Sequence, residues 1–245
     1  AGRQPCAIVA TCGTTATTAL DPIDSLAQLA AQYQCWLHVD AALAGSAMVV
    51  PECRKLWEGI EAADSLVVNP HKWLGVAFDC STYYVRDVEH LVRVMSSNPS
   101  YLQTTADGTE PNYRDWGVPL GRRMRSLKLW FVIREQGVAG LQTRIRRDLG
   151  YAQWFAAAVD AAPEWRRLAP VPLQTVCVRH EPAGLFGEAL DRHTLAWVNR
   201  VNRSGEAYLT PAQLDGRWMA RVSFGTHTTM QQHVAALWTL LQRTV

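Results

Sequence analysis

Lys72 is the residue with the clearest chemical potential in this sequence, because it follows an apolar run and a histidine in the stretch VVNPHKWLG, residues 67–75. A lysine amine attacks a carbonyl only when it is unprotonated, and burial can lower its pKa enough for that. Lys72 is therefore a candidate for forming a Schiff base. The alternative is an ordinary loop lysine that falls just past a strand.

Asp40 is the second candidate, at the end of the apolar run WLHVD one predicted strand earlier. A carboxylate in this position can pair with a protonated pyridine nitrogen, while a lysine engages an aldehyde carbon of the same ring. A lysine Schiff base combined with an acidic partner for the ring nitrogen is the recurrent way in which proteins hold pyridoxal phosphate. The pair therefore favours a pyridoxal phosphate site over a loop lysine.

Apolar and amphipathic segments alternate over the first ninety residues. The runs CAIVATC, CWLHVDAA and SLVVN predict strands, and residues 21–34 and 51–64 between them predict helices, the first capped by Asp24 or Ser25. This order is typical of a parallel sheet covered on both faces, in which ligands bind beyond the carboxyl ends of the strands. Six polar residues fall at those ends: Thr14, Thr15, Asp40, Asn69, His71 and Lys72.

The rest of the chain predicts a second, smaller unit. DCSTYYVRD predicts a further strand that is a candidate for antiparallel pairing, and residues 97–112 form a long loop rich in Ser, Thr, Asn, Gly and Pro. A long helical region over residues 126–162 is expected to break between Gly137 and Gly140. Beyond Pro163 the order is strand, helix, strand, strand, helix, with one helix ending at Gly205 and the last capped by Thr228 or Thr229. We therefore expect an α/β protein with a large domain over residues 1–160 and a small α/β domain over residues 161–245.

Composition narrows the classes of function. The net charge of +2, from 24 basic and 22 acidic residues, does not favour a nucleic-acid or anionic-membrane partner, and no apolar run is long enough for a membrane span. The arginine clusters at 122–125 and 144–147 are expected on solvated faces or in ion pairs. The six cysteines form no C-x-x-C pair, which predicts reduced thiols in a cytoplasmic protein. Since the sequence opens without Met and almost directly on a strand, we expect an N-terminal portion to be absent.

Three longer stretches resemble one known family: HVDAALAGSA, NPHKWLGVAFDCS and PLGRRMRSLKLWFVIREQGVAGLQ. They are similar to the group II pyridoxal-phosphate-dependent decarboxylases, and most of all to the aromatic-L-amino-acid decarboxylases. The resemblance implies the fold-type I architecture, with a mostly parallel seven-stranded sheet in the large domain. It also implies that the N-terminal half of the enzyme is missing here, and that the active site forms between the subunits of a homodimer.

The resemblance assigns the cofactor contacts residue by residue. It implies that Lys72 forms the Schiff base with pyridoxal 5'-phosphate, that Asp40 pairs with the pyridinium nitrogen, and that Ala42 packs against a ring face. It implies further that Asn69 and His71 anchor the cofactor near its phosphate. For Asn69, the alternative is simple turn geometry before Pro70.

Three further positions bear on catalysis and substrate. Thr15 matches a threonine beside the ring and its phenolic oxygen, with turn formation or helix capping as the alternative. Tyr101 matches a mobile-loop tyrosine that protonates the α-carbon, although loop tyrosines are common. Gly121 matches a position near the substrate ring, where a missing side chain leaves room for an indole or catechol, unless the turn after Pro119 needs a glycine. His38 and His227 receive no role, and His38 is expected to be a hydrogen-bonded core residue.

The expected function is therefore decarboxylation of an aromatic L-amino acid to its amine and carbon dioxide. The expected catalytic residues are Lys72, His71, Tyr101 and Thr15, and Gly121 is expected to bind substrate. One alternative is an aromatic aldehyde synthase that uses the same cofactor. The other is a catalytically incomplete C-terminal fragment that acts only in assembly.

Overall fold

The first sheet of the computed structural model, which describes residues 2–105 and 107–245, has four strands in the order β1-β2-β3-β4. The strands are β1 Ala7–Thr11, β2 Trp36–Asp40, β3 Ser65–Val68 and β4 Thr82–Val85. The first three are parallel and β4 is antiparallel to β3. The predicted parallel sheet and the antiparallel fourth strand are confirmed.

Helix α1, Ile23–Tyr33, connects β1 to β2, and its predicted cap is wrong. The helix begins directly after Pro22, whose carbonyl accepts the first helical bond from the Leu26 N–H at 3.1 Å. The proline ring fixes its φ at −77°, close to the helical value, and no side chain caps the start of the helix. Asp24 lies inside the first turn instead and accepts a bond from the Gln28 amide at 2.9 Å.

The prediction of a single helix over residues 51–64 is wrong. This region and the residues before it form three short 3₁₀ segments: Ala44–Val49, Pro51–Trp57 and Ile60–Ala62. Gly59 interrupts them with φ +89°, and a β-carbon there would lie 2.6 Å from the Cα of Asp24. The close approach to α1 therefore breaks the segment that its apolar spacing predicted to be one helix.

Helix α2, Val88–Met95, is capped by Asp87, whose carboxylate accepts from the His90 N–H at 2.8 Å. The predicted loop 97–112 follows, with one 3₁₀ turn at Ser100–Leu102; residue 106 lies outside the described residues. Helix α3, Ser126–Asp160, is interrupted at Gly137, where φ is 63° and ψ is 176°. The predicted break is confirmed, because only glycine adopts such a conformation at low cost.

The second sheet is fully antiparallel, in the order β5-β6-β8-β7. Its strands are β5 Trp165–Arg167, β6 Thr175–His180, β7 Thr210–Leu214 and β8 Arg217–Ser223, and the helices are α4 Gly187–Ser204 and α5 Gln231–Arg243. The sequence pattern missed β5, because three residues with two exposed arginines carry no alternation. Gly205 ends α4 with φ 75° as predicted. The predicted threonine caps of α5 are wrong, since the ring of His233 accepts from the Met230 N–H at 3.2 Å.

Two apolar clusters form the core, and α3 contributes to both. The first cluster joins β1, β2 and α1 to Trp57, Trp73 and Ile145. The second joins β6, β8, α4 and α5 to the last two turns of α3, with Phe155 at its centre. Phe155 is fully buried and packs edge to face against Phe224 and Trp238 at centroid distances of 5.7 and 5.6 Å. Among the described residues, no helix is long and apolar enough to cross a membrane.

Phe155→Ala is expected to destabilise the protein by about 3–5 kcal/mol, because it removes a buried ring and leaves a cavity that its neighbours cannot fill. Chemical denaturation monitored by circular dichroism measures this change. Trp154→Ala is the matched control, since Trp154 is the adjacent residue of α3 and is 40% exposed. Equal losses of stability in the two variants would contradict the assigned core.

Candidate functional site

The carboxyl ends of β1, β2 and β3 meet at one edge of the first sheet. Thr11 pairs with Asp40, and Asp40 pairs with Val67, so the three strands end at the same level. Backbone bonds continue past the strands: the N–H of Ala41 donates to Val67 at 3.0 Å, and that of Asn69 donates to the carbonyl of Ala42 at 2.9 Å. The structure therefore brings Asp40, Ala42 and Asn69 together, as the sequence predicts.

Asp40 is half-buried at the end of β2, and its carboxylate is oriented by the chain that follows. Oδ1 accepts a hydrogen bond from the N–H of Ala42 at 3.0 Å. A carboxylate oriented in this way can pair with a protonated ring nitrogen above the sheet edge. Ala42 is also half-buried and adds only a methyl group next to that carboxylate.

Asn69 shows that the site can hold a further polar group. Its Oδ1 atom is buried and has no hydrogen-bond partner among the residues that the structure describes. Leaving a buried amide oxygen unpaired costs about 1–3 kcal/mol. The residues of this edge are thus consistent with a polar ligand, which would supply the bond that the chain does not.

Lys72 lies in a tight turn directly after Asn69. Its N–H donates to the Asn69 carbonyl at 2.9 Å, and its own carbonyl accepts from the Gly75 N–H at 3.2 Å. Lys72 is exposed in this chain, and its neighbour Trp73 is the side chain that is buried. The turn therefore presents the lysine side chain outward from the sheet edge.

His71 is held against the segment that leads into β4. Its Nδ1 lies 2.6 Å from the carbonyl oxygen of Cys80 and 3.1 Å from the Cys80 backbone nitrogen. The ring also meets Phe78 edge to face at 5.0 Å. With Nδ1 occupied by the backbone, Nε2 is the nitrogen that is available to a ligand.

Thr15 is exposed in the turn that follows β1. The hydroxyl bonds that close this turn come from Thr14 and Thr17, whose Oγ1 atoms both accept from the Ala19 N–H, at 3.0 and 3.3 Å. The second sheet also holds the turn, because Arg221 Nε and Cys177 Sγ both donate to the Ala16 carbonyl, at 3.0 and 3.2 Å. Thr15 is therefore carried on a fixed turn without itself closing it.

Tyr101 and Gly121 are not brought to the sheet edge by any contact among the described residues. Tyr101 is 81% exposed in its 3₁₀ turn. Gly121 lines a groove with Asp79 and the arginine cluster at 122–125. Its φ lies outside the left-handed region, and an added β-carbon would meet nothing within 4 Å. The turn after Pro119 therefore does not need a glycine here.

The arginine clusters behave as predicted at most positions, with one exception. Arg123 and Arg125 pair with Asp79, and Arg146 pairs with Glu52. Arg144 is only 7% exposed, so the expectation of a solvated or ion-paired side chain is wrong for it. Its guanidinium donates to the backbone carbonyls of residues 73 and 74 instead.

Sequence reasoning missed a group of residues packed beneath the lysine turn: Trp73, Arg144, Arg147, Asp148 and His227. The ring of His227 fills the space beside Gly75, where a β-carbon would lie 1.6 Å from Nε2. Burial lowers the pKa of His227, and the nearby Arg144 and Arg147 lower it further. The available signal was the spacing of Arg144 and Asp148, which puts both on one face of α3. His38, by contrast, is hydrogen-bonded to the Ser65 hydroxyl at 2.8 Å, as predicted.

All six cysteines are unpaired, as predicted, and five of them are buried. Burial raises the pKa of Cys12 to about 12, and the nearby Asp21 carboxylate also raises it. Burial likewise raises the pKa of Cys177 to about 11. Both thiols are therefore protonated at neutral pH, and Cys177 Sγ donates to the Ala16 carbonyl in the turn that carries Thr15.

Comparisons with known proteins agree with the geometry. A family model described as the pyridoxal-dependent decarboxylase conserved domain matches residues 1–181. A tryptophan decarboxylase of Camptotheca acuminata is 42% identical over 99% of this chain, and a phenylacetaldehyde synthase of a Rosa hybrid cultivar is 38% identical over 98%. Both matches cover 49% of the relative, so the chain spans about half the length of these curated relatives. The crystal structure of Oryza sativa TDC with PLP and tryptamine superimposes with a TM-score of 0.95 at 37% identity, covering 99% of this chain and 51% of that one.

Thiol labelling tests the burial around the site. At pH 8 we expect a maleimide to modify exposed Cys6 and to leave Cys12 and Cys177 unmodified. A pKa of about 11 or 12 leaves a thiolate fraction on the order of 10⁻³ or less at that pH, and the thiolate is the reactive form. Peptide mass spectrometry measures the labelling, and all six cysteines should react in denaturant. Labelling of Cys12 or Cys177 as fast as Cys6 in the folded protein would contradict the assignment.

Proposed function

Given that the chain belongs to the pyridoxal-dependent decarboxylase family, we propose that the protein decarboxylates an aromatic L-amino acid to the corresponding amine and carbon dioxide. The observation that carries this proposal is the sheet edge at which the Asp40 carboxylate and the Lys72 turn follow neighbouring parallel strands. Relatives named as tryptophan and tyrosine decarboxylases, at 42% and 38% identity, support the class of substrate.

Residues of this edge would hold pyridoxal 5'-phosphate in complementary ways. Lys72 would carry it through a Schiff base, the Asp40 carboxylate would pair with the ring nitrogen, and the methyl group of Ala42 would pack against the ring. Asn69 and His71 would contact it near the phosphate, and Thr15 would lie beside the ring. Oδ1 of Asn69 is a buried acceptor without a partner among the described residues, so it would take a hydrogen bond from a donor of the ligand, whereas the amide NH2 group of Asn69 is the part that could donate to a phosphate oxygen.

When bound, the cofactor supplies an electron sink for the electron pair that the departing carbon dioxide leaves on the substrate α-carbon. The carboxylate of Asp40 keeps a proton on the ring nitrogen, because an opposite charge nearby favours the protonated form. The phenol of Tyr101 holds the proton that the α-carbon takes up. Because Tyr101 is exposed on a loop, this step requires the loop to approach the substrate.

Gly121 supports a bulky aromatic substrate. The position is open on its side-chain side, and its backbone conformation is one that any residue adopts. A side chain here would therefore reduce the volume of the groove without relieving any strain. Selection by free volume of this kind distinguishes substrates by about 1–3 kcal/mol per methylene group.

We propose further that the active enzyme is a cytoplasmic homodimer whose site is completed by residues beyond this chain. The exposure of Lys72 supports this, since a Schiff-base lysine functions in a site from which water is excluded. Six unpaired thiols support a reducing compartment. The chain matches only 49% of the length of the Camptotheca relative. For the isolated chain, a catalytically incomplete fragment that acts only in assembly therefore stays an alternative. The division into domains at residues 160 and 161 is likewise a proposal.

The second candidate function is an aromatic aldehyde synthase. Relatives at this level of similarity include the rose phenylacetaldehyde synthase and the 4-hydroxyphenylacetaldehyde synthase of Rhodiola rosea, whose structure matches with a TM-score of 0.88 at 33% identity. This reaction consumes oxygen and water and releases ammonia and hydrogen peroxide besides carbon dioxide. Tyr101 favours the amine, because a proton donor at the α-carbon competes with oxidation there.

Lys72→Ala tests the cofactor assignment. Borohydride reduction in the presence of pyridoxal phosphate should label Lys72 in the wild type and no residue in that peptide of the variant, as measured by peptide mass spectrometry. Turnover should fall on the order of 10³-fold or more, the scale for removal of a residue that forms a covalent intermediate. Lys55→Ala is the matched control, because Lys55 is also an exposed lysine in a short turn. Unchanged cofactor absorbance in Lys72→Ala would refute the assignment.

Tyr101→Phe tests the proton donor. Without the phenol, amine formation should fall, and aldehyde, ammonia and hydrogen peroxide should rise, each quantified per carbon dioxide released. Tyr208→Phe is the control, since Tyr208 is 82% exposed, close to the 81% of Tyr101, and lies in the second unit of the chain. An unchanged ratio of amine to carbon dioxide in Tyr101→Phe would contradict the role.

A further inference from the structure

Trp73, the residue after Lys72, is anchored by a buried carboxylate of α3. Its indole is only 2% exposed, and Nε1 donates to Oδ2 of Asp148 at 3.0 Å. Asp148 is fully buried and lies 75 positions further along the chain. Anchoring the Trp73 ring limits the backbone motion of the turn. Because Lys72 is the preceding residue of the same turn, the position of its Cα atom is restricted as well.

Arg144 holds the same turn by its backbone. Nη1 donates to the Trp73 carbonyl at 2.9 Å, and Nη2 donates to the Leu74 carbonyl at 2.7 Å. Burial lowers the pKa of Arg144, and the neighbouring Asp148 carboxylate raises it. One planar guanidinium therefore fixes the two peptide groups that follow Lys72, which is a geometry that lysine cannot reproduce.

Arg147 connects this group to the loop after β8. Nε and Nη2 of Arg147 donate to Oδ1 of Asp148 at 3.1 and 2.9 Å, and Nη1 donates to the His227 carbonyl at 3.1 Å. The His227 ring in turn occupies the space beside Gly75, where φ is +75°. The lysine turn is thus held from α3 on one side and from the loop of the second sheet on the other.

We propose that Asp148 and Arg144 are positioning residues that set the location of the Lys72 amine by fixing Trp73 and Leu74. The proposal rests on the role of Lys72 given above. Buried ion networks contribute little to net stability, and apolar replacements of similar volume are often neutral or stabilising. The physical effect of such a network is to select one conformation. Here it selects the conformation of the turn that carries the reactive amine.

Trp73→Phe and Arg144→Lys test the proposal separately. The first removes the indole N–H together with the five-membered ring that carries it, and the second keeps the positive charge but loses the planar, two-pronged guanidinium. In both, the fraction of Lys72 trapped by borohydride at subsaturating pyridoxal phosphate should fall on the order of tenfold, the scale for loss of supporting contacts at a site. Asp148→Asn keeps an acceptor for the indole and should retain more trapping than Asp148→Leu. Arg146→Lys is the control, because Arg146 lies on the same helix as Arg144 but forms an exposed ion pair with Glu52. Trapping of Lys72 in this variant should match that of the wild type.

The other two lysines, Lys55 and Lys128, provide an internal reference in the same digest. Positioning predicts a loss of trapping confined to Lys72 in Trp73→Phe and Arg144→Lys, measured at a temperature at which circular dichroism shows each variant to be folded. Equal trapping at Lys72 in wild type and both variants would overturn the proposal, and so would a loss spread evenly over all three lysines. If the wild type traps no label at Lys72, the proposed function itself fails and the positioning role fails with it.

Discussion

The parallel pairing of β1, β2 and β3 is the constraint from which the site follows. Parallel strands point the same way, so their carboxyl ends, and the residues that come directly after them, collect at one edge of the sheet. The register in which Thr11, Asp40 and Val67 lie at one level brings the ends of three separate segments together. A shift of one residue in this register would turn Asp40 to the other face of the sheet.

The edge is completed by elements that are remote in sequence. Helix α3 packs against the first sheet near Ile145 and against the second near Phe155, so it connects the two apolar clusters. Arg144 and Asp148 lie on the part of α3 that faces the first cluster, and their hydrogen bonds go to the lysine turn. The second sheet contributes Arg221 and Cys177, which bind the turn that carries Thr15. The lysine turn is therefore supported from α3, and the turn that carries Thr15 is supported from the second sheet.

Exposure divides the site residues into two groups with different physical roles. Asp40, Asn69 and His71 are half-buried and fixed by backbone contacts, which suits groups that orient a bound ring. Lys72 and Tyr101 are exposed, and they are the two residues that, in the proposed function, would reach the cofactor and the substrate. The buried residues Trp73 and Asp148 lie beneath the exposed lysine and limit the freedom of its backbone.

Local sequence pattern was enough to predict seven of the eight strands in the described residues, the break at Gly137, the end of α4 at Gly205 and the residues of the sheet edge. These features depend on local apolar runs, on glycine conformations and on the order of segments along the chain. Contacts between elements are needed to explain why residues 51–62 form 3₁₀ turns, why β5 is a strand, why Lys72 is exposed and why Arg144 is buried. Each of these four features depends on a partner elsewhere in the chain: Asp24 beside Gly59, β6 beside β5, Asp148 beside Trp73, and the carbonyls of residues 73 and 74 beside Arg144. Local pattern cannot predict such partners, because they are chosen by packing between elements that the sequence separates.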